Sequence, residues 1–457
     1  MSATAPTVTT VDIRGHATPV ATGGDPDAPA LLWVHGEGVT SGWRAVHDRL
    51  AGRFRVVAPT LPGFGGTDVA AYAEWYVSDA LMERFDIVGW DPRGTGKSTP
   101  AVDCIDDYDR YFAIDSPPND AAAKQEMVEL TQEFVDQCTE RNGEMLKYIS
   151  TENSARDMDS IRRALGEEQI TYFGFSYGSE LGATWVTLFP ETVRAAVFDG
   201  ASDPNASGFD QAVSQLKGFE QQLDAFLADC AKRPTCAIYN SGKPAVLFDK
   251  LVNDINVKPI PSTGGRTPVT QGVFYTAVVQ AMYSNTLWPQ LETALAQAVS
   301  GNGAGLLKLY DDYYQRKPDG TYGNELEAFL AISCLDDPEG STVAEVDADI
   351  PKFAAAAKRL GENFGYGYAC ALWPYRVDSR VEVTGKGAGP IVVIGTTGDA
   401  ATPLASTRKA ASNLEEGILI VVEADRHTGY GLNACVVNRV DTYLLELKTP
   451  DNETYCR

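Results

Sequence analysis

The sequence predicts an α/β fold: a mostly parallel sheet flanked by helices, with a large, mostly helical segment inserted between two halves of the sheet. Three observations predict it. Short β-branched runs alternate with helical stretches at both ends of the chain, the texture of strands joined by crossover helices. Those runs are continuously apolar, as strands buried on both faces require. Between about residues 204 and 385 the β-branched runs disappear, and segments such as FEQQLDAFLADCAKR and ELEAFLAISCL place apolar residues at helical spacing.

In chain order the predicted strands are 30–36, 53–60, 84–90, 170–176, 194–200, 389–399 and 417–427. Residues 1–203 and 386–457 then form the core, and 204–385 a helical cap, with the turn-rich PIPSTGGRTP at 259–268 as a loop inside it. A chain of 457 residues suits a core with an insertion, because single cores rarely grow beyond about 250–300 residues. The stretch RFRVVAPTLPGFGGTD, 53–68, echoes RFDIVGWDPRGTGKST, 84–99, with Arg, Phe, Val and two glycines in register.

Charge narrows the function. A net charge of -24 argues against a nucleic-acid partner, which needs clustered Lys and Arg to displace counterions. No apolar run reaches the roughly 18 residues that span a bilayer. None of the eight cysteines stands at C-x-x-C spacing, so neither a structural metal nor a cofactor is expected. The first residues, MSATAPTVTTVDIRGHATPV, show no signal-peptide pattern.

The chemistry is written in TYFGFSYGSELG. Gly174-Phe175-Ser176-Tyr177-Gly178 is a G-x-S-x-G that follows an apolar run and precedes a helical one. That context makes it a nucleophile elbow, a strained turn that only small neighbours tolerate and that projects the serine from the sheet edge. A serine needs a base. Of His16, His35, His47 and His427, only His427 follows the serine in the chain order this arrangement demands. The orienting carboxylate belongs at the end of an intervening strand, where Asp399 stands in IVVIGTTGDAATP; Asp199, in VFDGASD, is the alternative.

The tail of 84–99 looks like a phosphate-binding loop, but the pattern requires Gly five residues before Gly96, and Asp91 is there instead. The segment is read as a strand and turn ahead of the elbow, with Asp91 and Arg93 fixing the turn.

Taken together, GFSYGSELG, GTTGDAATP and DRHTGYG, preceded by RFDIVGWDPRGTGKSTP and followed by CVVNRVDTYLLELKTPDNETYC, resemble the secreted tripeptidyl aminopeptidase group of α/β-hydrolases from actinomycetes. The resemblance runs from about residue 70 to the end. It implies an α/β-hydrolase fold, a Ser176–His427–Asp399 triad, and release of short peptides from free N-termini. Such selectivity needs an anion for the substrate ammonium, for which the candidates are Glu327, Asp336 and Asp337. It implies an extracellular or cell-envelope location, a cytoplasmic one being the alternative. It also implies disulfides, with Cys334–Cys370 and Cys435–Cys456 the preferred pairs and Cys104–Cys138 and Cys230–Cys236 following. A carboxylic ester hydrolase on the same triad is the alternative activity, and an impaired shell that only binds is the alternative to an enzyme.

The first 68 or so residues depart from that group. APALLWVHGEGVTSGWRAVHDRLAGRFRVVAPTLPGFGGTD resembles the opening of a different, generic α/β-hydrolase, and the chain reads like a composite joined near residue 68. This bears on the oxyanion hole, which takes one N–H from the residue after the serine, Tyr177, and another from the loop after the third strand. If 30–36 is that strand, Glu37 donates. If 53–60 is that strand, Phe64 donates; this second threading is preferred because LPGFGG resembles the group's Pro-Gly-rich oxyanion loop.

Overall fold

The computed structural model describes residues 77–262 and 265–457 in full and, ahead of them, the backbone of four strands. These are β1 (Thr7–Ile13), β2 (His16–Gly23), β3 (Ala30–Val34) and β4 (Val56–Pro59). Then follow β5 (Asp86–Val88), β6 (Ile170–Phe175), β7 (Val193–Asp199), β8 (Ile391–Thr396), β9 (Gly417–Val422) and β10 (Thr454–Cys456). The larger sheet has the order β10-β9-β8-β7-β6-β3-β5, and every neighbouring pair in it is parallel. A smaller antiparallel sheet has the order β1-β2-β4.

Side chains of the larger sheet alternate between two apolar clusters. Tyr172, Ala196, Phe198, Val393 and Val421 join one, while Phe173, Val197, Val392, Ile394 and Ile420 join the other. Both faces are covered, which is why these strands are continuously apolar in sequence.

The preferred threading of the N-terminal part is corrected here. The strand beside β6 is β3, residues 30–34, and not residues 53–60. β5 lies on the far side of β3, and β4 sits at the edge of the small sheet. Pro59 ends β4; a residue without an N–H suits an edge strand and not the middle of a buried sheet. The echo between 53–68 and 84–99 therefore does not mark neighbouring strands of one sheet.

Between β7 and β8 the chain is built of helices, from Gly208–Lys232 through Ala369–Leu372. Most share one apolar cluster centred on Phe219, Phe226, Phe274, Leu291 and Leu309. The helical layer also draws on residues ahead of the elbow. Val102, Tyr108, Phe134 and Ile149 pack with Ala328, Ile332 and Trp373 in a single cluster. Disulfides join Cys104–Cys138, Cys230–Cys236, Cys334–Cys370 and Cys435–Cys456, the four pairs the resemblance implies.

The DPRGTGKS segment is a turn locked from both sides. Arg93 grips both oxygens of Asp157, at 2.8 and 2.6 Å, and reaches the Tyr148 carbonyl. Asp91 accepts from the Lys97 N–H. From the helical layer, Asn324 accepts from the Gly96 N–H and donates to the carbonyls of Gly94 and Val102. Backbone donors that would face a phosphate are thus occupied by protein oxygens. Among the described residues no helix is long and apolar enough to cross a membrane.

Candidate active site

β6 ends at Phe175 and the helix Tyr177–Leu188 begins two residues later, leaving Ser176 to make the whole turn. Ser176 has φ 52° and ψ -124°, a conformation that costs a non-glycine residue about 1–3 kcal/mol. The surroundings hold it. The Ser176 N–H donates to the Asp199 carbonyl at 2.8 Å, and the Ser179 hydroxyl bridges the carbonyls of Gly174 and Asp199. Gly174 is small of necessity: a Cβ there would lie 2.3 Å from the Gly178 carbonyl oxygen.

Asp399 and His427 come from loops that extend the β8–β9 pairing. The Thr397 and Gly398 N–H groups donate to the carbonyls of Val422 and Ala424, which sets the two loops side by side beyond the strand ends. There the Asp399 carboxylate meets His427 Nδ1 with both oxygens at 2.9 Å. The carboxylate is itself oriented by N–H groups of Thr402 at 2.8 Å and Thr428 at 3.3 Å. The Asp399 side chain is 0% exposed and that of His427 12%, so the carboxylate is fully shielded and the imidazole nearly so.

Asp199 is not the partner of the imidazole. Its carboxylate accepts from the N–H groups of Gly429 and Tyr430, at 2.8 and 2.7 Å, and so clamps the turn just after His427. Burial pushes this carboxyl up to about 6, against the two amides, which favour its ionised form. Gly200, next to it, has φ 68° and packs under the imidazole; a Cβ there would fall 2.8 Å from His427 Cε1.

The helical layer reaches the same loop. The His427 N–H donates to the Tyr283 carbonyl and the Asn285 N–H to the Asp425 carbonyl, closing a short antiparallel bridge between Ser284 and Arg426. The Tyr283 ring meets the imidazole edge to face, with centroids 5.9 Å apart. The helix Gly208–Lys232 backs the acid loop, since a Cβ on Gly218 would lie 2.3 Å from the Ala400 carbonyl oxygen.

The other expected residues are placed as follows. Tyr177 follows Ser176 at the head of its helix. Phe64 and Glu37 lie outside the described residues. Glu327 is 2% exposed and accepts from the N–H groups of Cys104 and Ile105; burial pushes its carboxyl up to about 7. Asp336 accepts from the Thr151 N–H. Asp337 faces Gly208 and stands 3.8 Å from Arg376. Sequence reasoning missed Thr402, Thr428 and Tyr283. Thr402, three residues after Asp399, has a local signal in the tendency of aspartate to cap a following turn; Tyr283 has none. Among the described residues no group of three or more His, Cys, Asp or Glu side chains is arranged to hold a metal.

A serine on a strained strand-to-helix turn, with a carboxylate-held histidine three strands away in the same parallel sheet, defines a class: the serine hydrolases. Residues 70–434 match the family model described as the alpha/beta hydrolase fold, and the chain belongs to that family. It is 34% identical over 422 residues to the serine protease Hip1 of Mycobacterium tuberculosis, a match covering 88% of this chain and 80% of the relative. It is 35% identical over 417 residues to carboxylesterase B of the same organism, covering 88% and 79%. It is 30% identical over 390 residues to a tripeptidyl aminopeptidase of Streptomyces lividans, covering 82% and 71%.

Proposed function

We propose that this serine hydrolase is an exopeptidase that releases short peptides from free N-termini through an acyl-enzyme on Ser176. The observation that supports it most is the Asp399–His427 pair, two hydrogen bonds of 2.9 Å on the one histidine that follows the elbow in sequence. His427 takes the proton of Ser176 as its oxygen attacks the scissile carbonyl. Asp399 keeps Nδ1 protonated and stabilises the imidazolium. The Tyr177 N–H stabilises the oxyanion together with a second donor from the N-terminal segment, Glu37, which follows the strand paired with β6. His427 then protonates the leaving amine, and water repeats the sequence on the acyl-enzyme.

Peptide cleavage is favoured by the tripeptidyl aminopeptidase and serine protease among the relatives. Of the carboxylates expected to face a substrate ammonium, Asp337 carries that role in this proposal, because Glu327 and Asp336 are engaged by backbone amides. Four disulfides support an oxidising, extracellular or envelope setting. The carboxylesterase relative supports a second reading, ester hydrolysis on the same three residues.

A panel of free and N-blocked di- and tripeptide chromogenic substrates, beside a simple ester, tests the proposal. Free tripeptides are expected to be cleaved best, with Ser176→Ala inactive. Equal rates on free and blocked peptides would sink the exopeptidase reading, and hydrolysis of the ester alone would leave the second.

A further inference from the structure

A polar chain runs from the helical layer to the elbow. Thr151 begins the helix Thr151–Leu165, and its Oγ1 lies 2.7 Å from the Tyr177 hydroxyl. Asp336, at the end of the helix Glu325–Leu335, accepts from the Thr151 N–H at 2.9 Å and is bonded by its hydroxyl as well. An ionised carboxylate only accepts, so the single hydroxyl proton of Thr151 points to Asp336. With Asp336 ionised the Tyr177 O–H donates to Thr151, and the chain reads Tyr177 to Thr151 to Asp336.

Each link has a physical reason. The Asp336 carboxylate sits at a helix N-terminus, where free N–H groups and the helix dipole favour an anion. Burial pushes the Asp336 carboxyl up from the usual carboxylate range, and the two Thr151 hydrogen bonds and the nearby Arg380 charge work against that rise. The Tyr177 hydroxyl is held un-ionised by burial and by the Asp336 charge.

The chain matters because of where Tyr177 stands. Its N–H is the expected oxyanion donor, and its orientation is set by the Ser176–Tyr177 peptide. Ser176 is in a strained conformation, with φ 52°, which persists only if the surroundings over-determine it. A tyrosine anchored at its hydroxyl supplies part of that constraint, from a residue far away in sequence.

We propose that Asp336 is a positioning residue of the oxyanion site: through Thr151 it anchors Tyr177 and so fixes the strained peptide that presents the oxyanion donor. The helical layer is then a working part of the catalytic site, since its docking sets the donor. This rests on the proposed roles of Ser176 and the Tyr177 N–H. It also takes Asp336 out of the set expected to bind a substrate ammonium, and the two roles separate kinetically. An ammonium ligand raises KM for free N-termini alone. A positioning residue lowers kcat for free peptides, blocked peptides and esters alike.

The test compares Thr151→Val, Thr151→Ser, Tyr177→Phe and Asp336→Asn on a free tripeptide anilide and a p-nitrophenyl ester. Active sites are counted by end-point labelling with a fluorophosphonate, so misfolded protein drops out. Thr151→Val keeps the shape and the N–H to Asp336 but breaks the chain, and Thr151→Ser keeps the hydroxyl. On both substrates Thr151→Val and Tyr177→Phe are expected to lose roughly 10- to 100-fold in kcat per labelled site, with KM within about twofold. Asp336→Asn is expected to fall in the same direction, and Thr151→Ser to restore most of the rate. Wild-type kcat in Thr151→Val, or an Asp336→Asn effect confined to KM for the free peptide, would overturn the inference. Ser176→Ala separates the two layers: if it still turns over, the catalytic reading has failed, whereas if it is inactive and Thr151→Val is normal, only the anchor has.

Discussion

The backbone N–H of His427 donates to the Tyr283 carbonyl at 2.8 Å, so the loop that carries the imidazole is paired with the helical layer as well as with the sheet. One hydrogen bond away, the Asn285 N–H reaches the Asp425 carbonyl at 2.9 Å. The insertion between β7 and β8 is therefore part of the scaffold that places the proposed base.

Asn285→Pro isolates that contact. Asn285 is the first residue of a short 3-10 turn and Ser284 before it is extended, with φ -159° and ψ 136°, so proline fits the backbone and deletes one N–H. A single hydrogen bond contributes about 0.5–1.5 kcal/mol, and a loosened base is expected to lower kcat by roughly three- to tenfold. Unchanged kcat on the peptide panel would show that the bridge does not set the imidazole.

Gly200→Ala strikes the imidazole directly. The new Cβ would sit 2.8 Å from His427 Cε1, at a backbone φ of 68°. The left-handed conformation costs about 1–2 kcal/mol of stability in an alanine. Displacing the base by up to an ångström is expected to lower kcat about 100-fold. Melting curves and kinetics on the same sample distinguish the two effects.

The two strand-end aspartates are expected to fail differently. Asp399→Asn leaves His427 without the carboxylate that fixes its tautomer, and kcat is expected to drop by about 10,000-fold with little change in melting temperature. Asp199→Asn disturbs two amide hydrogen bonds in the buried turn after His427, and is expected to cost about 1.5–3 kcal/mol of stability. Reversed behaviour, measured by denaturant titration and kcat, would reassign the acid of the triad to Asp199.

Glu180 gives a pH signature. It lies on the elbow helix beside Asp336 and Arg380, and burial pushes its carboxyl from the ordinary 4.5 up to about 7. Between those values the folded chain binds a proton that the unfolded chain has lost, so the stability contributed by the protonated form is complete below about pH 4.5 and declines as pH rises through about 7. Glu180→Gln does not titrate. Its melting temperature, relative to the parent, is expected to rise by about 2–4 °C between pH 4 and pH 8. An offset that stays constant across this range would show that Glu180 is solvated.

Sequence by itself determined the parallel sheet, the elbow and the proposed triad, because each rests on local or ordered signals. Continuous apolar runs report strands covered on both faces, as the two clusters around Phe173 and Phe198 show. A G-x-S-x-G reports a turn too tight for side chains, as Gly174 against Gly178 shows. Chain order alone selected His427 among four histidines. Tertiary structure decided the rest. Local propensity favours strands at both 30–36 and 53–60, and only the pairing of Ala30–Val34 with β6 assigns one of them to the central sheet. Asp199 and Asp399 both end strands, and only the loop geometry gives one the imidazole and the other the turn beyond it. The contacts of Tyr283 with His427, and of Thr151 with Asp336 and Tyr177, join residues more than a hundred positions apart or on separate elements. No periodicity or motif encodes such contacts, because they exist only once the helical layer has docked on the sheet.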